Sequence, residues 1–194
     1  VDVSMFGRML ASANEFNVDA AVQVAHAFTV HRAEVEDDYF SAVDDLDNDT
    51  GAGHIGERGY GAGLFYLYVC VNRTLLQENL KGDQELARRA LASLLETLCK
   101  VSPTGMQNSY ASRAYAAYVL AERGTQQPRS LSQAFLRPVR GSDDKSMLTE
   151  AIEALTVQRA NFDKIYGACS DASQALDADT GTGSLQSLID FVRD

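Results

Sequence analysis

Hydrophobic and polar positions change their spacing several times along the chain. Residues 20–31 read Ala-Ala-Val-Gln-Val-Ala-His-Ala-Phe-Thr-Val-His, with Val22, Val24, Phe28 and Val30 at even positions. β-branched and aromatic residues alternating with small ones predict a half-buried strand. A helix over 18–30 competes, because Ala is frequent there. A second strand is predicted over 64–71, and the opening run Val1–Phe6 is also strand-like. Between the two main strands, residues 34–50 are acidic and end in Asp-Asn-Asp-Thr, a loop composition. Gly51, Gly53, Gly56, Gly59, Gly61 and Gly63 follow. The reading is two strands joined by a long, glycine-rich, acidic insertion. An insertion of that size exceeds what a compact hairpin needs, and such loops are usually functional or disordered.

Helical spacing governs the rest. Leu86, Ala90, Leu94 and Leu98 recur at every fourth position with Ala87, Leu91 and Leu95 beside them, behind Asp83 as N-cap. Met147, Ala151 and Leu155, joined by Leu148 and Ile152 and continued by Phe162 and Ile165, form another stripe. Ser142 is its expected cap and Gly167 its expected end. Leu185, Leu188, Ile189 and Val192 mark a short C-terminal helix behind Ser184. A third strand is predicted within Tyr115 to Ala121, and Pro128 and Pro138 bracket a short helical segment. The expected class is α+β, a small antiparallel sheet with helices on one face.

Composition narrows the setting. The 194 residues are 45% hydrophobic, ordinary for a globular chain, and no run of about 18 apolar residues suggests a membrane span. No secretory signal opens the chain, and the start at Val1 without Met reads as a piece whose N-terminal part is missing. Cys70, Cys99 and Cys169 are far apart and odd in number, which argues against a disulfide framework or a cysteine zinc site. Each lies in an apolar run, so buried free thiols in a reducing cytoplasm are expected.

The net charge of −10 argues against nucleic-acid binding until its distribution is considered. Residues 33–57 carry nine acids and no Lys or Arg. Residues 100–141 carry six bases (Lys100, Arg113, Arg123, Arg129, Arg137, Arg140) against Glu122 alone. Such polarity suits charge-guided contact between subunits or with a polyanion; a patchy solvated surface is the plainer alternative.

Few motifs support catalysis. Gly51-Ala52-Gly53-His54-Ile55-Gly56 has the letters of a dinucleotide fingerprint but lacks the strand before and helix after it that phosphate binding needs. Asp45-Leu46-Asp47-Asn48-Asp49 begins like a calcium loop, yet the required Gly and Glu positions hold Thr50 and Gly56. On a strand, His26 and His31 point to opposite faces and cannot share a metal. No nucleophile elbow, Walker sequence or His-Glu-x-x-His appears. The expectation is no catalytic residue, no metal and no cofactor.

Two short pieces suit RNA better. In Gly7-Arg8-Met9, glycine permits close approach of backbone to phosphate, Arg8 can pair with it, and Met9 can press on a base. In Asp38-Tyr39-Phe40-Ser41, aromatics at the mouth of the insertion are candidate stacking platforms. Burial of Met9 and Phe40 in the core is an equally good reading of these residues alone.

At these residues the chain resembles the CasC family, the backbone subunit of the type I-E CRISPR surveillance complex called Cascade. The similar text is Val1-Asp2-Val3-Ser4-Met5-Phe6-Gly7-Arg8-Met9, Val24-Ala25-His26-Ala27-Phe28-Thr29-Val30-His31, Asp38-Tyr39-Phe40-Ser41-Ala42-Val43-Asp44-Asp45-Leu46, Gly53-His54-Ile55-Gly56, Phe65-Tyr66-Leu67-Tyr68 and Leu76-Gln77-Glu78-Asn79-Leu80. A looser match surrounds Gln107-Asn108-Ser109-Tyr110-Ala111; beyond it only the helix pattern agrees.

The resemblance implies a modified RNA-recognition (ferredoxin-like) palm. Residues 1–194 would be its C-terminal half, with a thumb insertion at about 36–62 and a helical portion at about 72–194. It implies copies stacked along one CRISPR RNA, each thumb reaching its neighbour, and a guide kinked at intervals with one nucleotide flipped out. Gly7, Arg8, Met9, Phe40, Ser41 and His54 become the RNA-binding set: Met9 and Phe40 as wedges, Ser41 at the flipped nucleotide, Arg8 near the phosphates. Implied partners are CRISPR RNA, target DNA paired through the guide, neighbouring copies and other Cascade subunits, with no membrane. Asp44, Asp45, Asp47 and Asp49 of the thumb are expected to meet a basic patch on the next copy, since carboxylates weaken RNA binding. The family's basic N-terminal half with its fingers is absent here, and Leu67 and Met106 stand where the family often has Arg and Lys. The alternatives are a metal-dependent hydrolase using the acidic insertion, or an adaptor domain with no nucleic-acid role.

Overall fold

The computed structural model describes residues 1–42 and 54–194. In chain order the elements are α1 (Asp2–Phe6), β1 (Val22–Val24), β2 (Phe28–Thr29), β3 (Glu36–Ala42), β4 (His54–Tyr60), β5 (Phe65–Tyr66), β6 (Val69–Val71), α2 (Arg73–Asn79), α3 (Gln84–Lys100), α4 (Gln107–Tyr110), β7 (Tyr118–Arg123), α5 (Met147–Tyr166), β8 (Ala172–Asp177) and α6 (Leu185–Arg193). The class is α+β. Among the described residues the strands form four two-stranded antiparallel ladders, β1 with β6, β2 with β5, β3 with β4 and β7 with β8, in place of the single small sheet the spacing suggested. The two strands read at 20–31 and 64–71 do pair, as Val22 with Val71 and Phe28 with Tyr66.

Two compact units are present: Val1–Ala25, Tyr68–Ser130 and Ala160–Asp194 in one, His26–Leu67 and Leu131–Arg159 in the other. The first unit holds two buried clusters. Met5, Ala21, Val22, Leu76, Ala87, Ala90 and Leu91 form one; Leu95, Cys99 and Leu188 form the other, with Val119, Leu176 and Ile189 against them. Leu76 and Leu188 are fully enclosed. The opening segment is a helical turn and not a strand, which turns Met5 into the cluster with Leu76. Asn79 secures it, donating from Nδ2 to the Ser4 carbonyl at 3.0 Å.

Local capping follows the sequence closely. Asp83 accepts from Leu86 N–H at 2.9 Å and Ser184 forms a reciprocal capping box with Ser187. Gly167, at φ 87°, follows the end of α5. The cap of α5 is Ser146, whose Oγ accepts from Thr149 N–H at 3.1 Å, and not Ser142. On α3 the buried residues are Ala87, Ala90, Leu91, Leu95 and Cys99, so of the expected apolar face Ala90 and the flanking Ala87, Leu91 and Leu95 are covered and Leu86, Leu94 and Leu98 are not fully buried. Ile165 is exposed although the stripe of α5 included it. Strand β8 was not legible; it pairs with β7 from Tyr118↔Asp177 to Arg123↔Ala172.

In the first unit Arg129 is held by two carboxylates, although its Nε is buried without a hydrogen-bond partner. Arg129 donates from Nη1 to Glu122 Oε2 at 2.6 Å and from Nη2 to Asp163 Oδ1 at 3.1 Å. Hydrogen bonding to Glu122 holds the Arg129 guanidinium above its ordinary pKa. Of the three free cysteines only Cys99 is buried, and burial pushes its thiol up. No helix among the described residues is long and apolar enough to cross a membrane.

Candidate nucleic-acid interface

The insertion is an extended ribbon over its described part. β3 and β4 pair continuously from Glu36↔Tyr60 to Ala42↔His54. The loop composition read at 34–42 and the glycines at 56–59 gave no hint of this. Cross-strand hydrogen bonds override those local preferences, because the backbone groups of β3 find partners in β4. Nearly all ribbon residues are exposed. An isolated two-stranded ribbon is marginally stable in water, so interactions on its faces matter to its order. A strand over His54–Tyr60 also removes the helix that a dinucleotide fingerprint requires.

The register sorts the ribbon into two faces. Residues directly opposite one another share a face and neighbours along a strand alternate. Asp38, Phe40, Ala42, His54, Gly56 and Arg58 therefore share one face, with Asp38 directly opposite Arg58, and Tyr39, Ser41, Ile55 and Glu57 share the other. On the first face the Phe40 ring lies 5.8 Å from the His54 ring and 5.8 Å from the Arg58 guanidinium carbon. Gly56 leaves the space the ring occupies: a Cβ there would stand 2.6 Å from Phe40 Cζ. An aromatic ring over a cross-strand glycine shields its bare backbone. Phe40 remains 39% exposed, so the ring is not sealed in a core. Ser41 is turned to the opposite face from Phe40 and His54.

The other predicted piece, Gly7 to Met9, belongs to the first unit. Gly7 follows α1 at φ 79°, a conformation that favours glycine, and a Cβ there would meet the Val18 carbonyl oxygen at 2.9 Å. Its open side is thus filled by the chain's own backbone. Arg8 bridges to Val18, and its Nε and Nη2 donate to the Phe16 carbonyl at 2.9 and 2.7 Å. Arg8 thereby braces the 8–18 loop while staying exposed. Met9 is 85% exposed at the head of this loop. Gly7, Arg8 and Met9 lie together, and so do Phe40 and His54. Asp44, Asp45, Asp47 and Asp49 lie outside the described residues.

Sequence reasoning missed Arg58. Alternation from His54 would have placed it on the His54 face had 54–60 been read as a strand; the register with β3 makes that the Phe40 face. Both ring nitrogens of His31 are tied to backbone. Among the described residues no group of three or more His, Cys, Asp or Glu side chains could hold a metal ion. An exposed aromatic flanked by an imidazole and a guanidinium offers a base a stacking surface and a phosphate a cation.

Comparison with known proteins gives the same direction. Residues 1–190 match the family described as CT1975-like protein. The chain belongs to that family. Its fold is similar to a chain of a solved "CRISPR RNA-guided surveillance complex, pre-nicking", with TM-score 0.83 and 34% identity over 98% of this chain. It spans 54% of that relative, about half its length. A chain of a second "CRISPR RNA-guided surveillance complex" matches with TM-score 0.79 and 34% identity, covering 98% of this chain and 76% of the other. Comparison with curated proteins gives no match. The mixed short ladders and helices of this family member are consistent with an RNA-recognition-like palm.

Proposed function

We propose that this chain is part of a CRISPR RNA-binding backbone subunit of a type I-E Cascade complex. In this reading several copies line one guide RNA in the cytoplasm. The β3–β4 ribbon is the thumb, and Met9 and Phe40 prise apart stacked guide bases. The kinked guide is then presented to target DNA, while neighbouring copies and other Cascade subunits complete the assembly. The subunit does no chemistry of its own.

The observation that carries the reading is the Phe40 platform: an exposed ring seated on Gly56 between His54 and Arg58, on a ribbon with almost no buried surface. The exposed part of the ring is a stacking surface, and base stacking on such a ring contributes about 1–3 kcal/mol. Kinship with chains of RNA-guided surveillance complexes supports guide RNA as that partner.

The test is chemical probing of guide RNA assembled with the full-length protein. Wild type should give periodic hyper-reactive nucleotides. Met9→Ala with Phe40→Ala should flatten that periodicity while lowering overall affinity by less than about tenfold, since phosphate pairing supplies most of the binding. Uniform protection of every guide nucleotide by wild type would sink the reading.

A further inference from the structure

The basic segment over residues 100–141 divides by use. Lys100 is paired with Glu96, Arg129 with Glu122 and Asp163, and Arg123 donates to the Phe191 carbonyl and rests 5.0 Å from the Phe191 ring. Arg137 and Arg140, in the unit that carries the ribbon, have no such partner among the described residues. Both are exposed, as is Arg32.

The fold joins the segments that carry Arg32 and Arg140 at a single bridge. His31 and Val139 form a parallel bridge, and Val139 N–H donates to the Val30 carbonyl at 2.9 Å. The next residues along the two segments are Arg32 and Arg140. The bridge is isolated, so Arg32 and Arg140 leave it on adjoining backbone segments, and the carboxylate beside Arg140 is that of Glu150, whose Oε2 accepts from Gly141 N–H at 3.1 Å. Arg137 stands two residues before the bridge. The nearest acids in sequence, Glu34, Asp143 and Asp144, form no ion pair with these arginines among the described residues.

The backbone beneath them is pinned. Val30 is buried, at 3% exposure. The His31 ring accepts from Leu64 N–H at Nε2 (3.0 Å), so its Nδ1 carries the proton and donates to the Arg32 carbonyl at 2.8 Å. Gly63 makes room for that ring: a Cβ there would stand 2.9 Å from His31 Nε2. Cations on a fixed backbone lose less freedom when they bind, which favours a built site over two wandering side chains.

We propose that Arg32 and Arg140, with Arg137 near them, form a ledge that binds the phosphodiester backbone of single-stranded nucleic acid. The inference rests on the guide-RNA reading above and adds to it a second binding surface that does not involve the ribbon. The shared chemistry is the phosphate; guide RNA and target DNA are its two sources. Guanidinium groups pair with phosphate oxygens through parallel N–H donors, and a planar fork suits this better than a point charge.

The test uses the full-length protein in two arms. One titrates labelled single-stranded guide RNA at several salt concentrations. The other titrates single-stranded target DNA onto the guide-loaded assembly. Arg32→Glu with Arg140→Glu should weaken binding about tenfold or more in at least one arm. The slope of log affinity against log salt should flatten by about 0.7 for each phosphate no longer neutralised. The arm that responds names the source. Arg32→Lys with Arg140→Lys should restore most of the slope. Thermal melting should be unchanged in both variants, because the side chains are exposed. Unchanged slopes in both arms, with wild type binding normally, would overturn the ledge and leave the guide-RNA reading standing. Loss of subunit assembly with both slopes intact would also overturn it, pointing to an acidic protein surface instead. Failure of wild type to bind guide RNA would remove the functional reading and the ledge together.

Discussion

Gly56 shows how one missing atom sets a surface. The Phe40 ring occupies the place where any other residue would carry Cβ. In Gly56→Ala the ring must swing off the ribbon, because a 2.6 Å separation is far inside van der Waals distance. The expected outcome is loss of the periodic guide reactivity to the level of Phe40→Ala alone, with the ribbon still paired. Probing of the Gly56→Ala assembly checks this, and a wild-type pattern would show that ring placement is irrelevant. Gly63 serves His31 in the same manner. Neither role was readable beforehand, since a run of six glycines reads as loop until the opposing strand is known.

At the scale of elements, α6 and α3 meet through Leu188, which has no exposed surface and packs in the cluster with Leu95 and Cys99. Removing its isobutyl group leaves a cavity that surrounding helices fill only partly. Leu188→Ala should cost about 2–5 kcal/mol, seen as a lower urea midpoint with little change in slope. A cost below about 1 kcal/mol would mean that α6 is dispensable to this core. The helices themselves were legible, because capping and amphipathic spacing are local: Asp83 and Ser184 sit where their carboxylate or hydroxyl reaches the next turn. The apolar face of α3 was read correctly but too broadly, since Leu86, Leu94 and Leu98 are not fully buried. Neighbours decide which part of a broad apolar face is covered, and Cys99 was left out although it is buried. Strand β8 escaped because its residues, Ala172 to Asp177, alternate weakly and are held mainly by the ladder to β7.

For the molecule as a whole, charge is unequally shared. Nine acids and no Lys or Arg occupy residues 33–57, while the chain carries −10 overall. A polyanion-binding protein with this balance must keep its carboxylates away from phosphate, and the interface with a neighbouring copy is a place to put them. Reversal of Asp44, Asp45, Asp47 and Asp49 to Lys in the full-length protein should reduce assembly on guide RNA, with smaller oligomers on size exclusion. Oligomers of unchanged size would refute a subunit-bridging role for these aspartates.

The amino-acid order alone gave the α+β class, the principal helices with most of their caps, strands within 20–31 and 64–71, and a likeness to CRISPR surveillance-complex subunits carried by the segments before residue 80. Those rest on interactions within a few residues, or on text long enough to be specific. The helical turn at Asp2–Phe6, the ribbon pairing of β3 with β4, the seat at Gly56 and the bridge of His31 to Val139 came only from the tertiary structure. Each depends on which distant backbone supplies the matching donor or acceptor, and that choice is made by the chain as a whole.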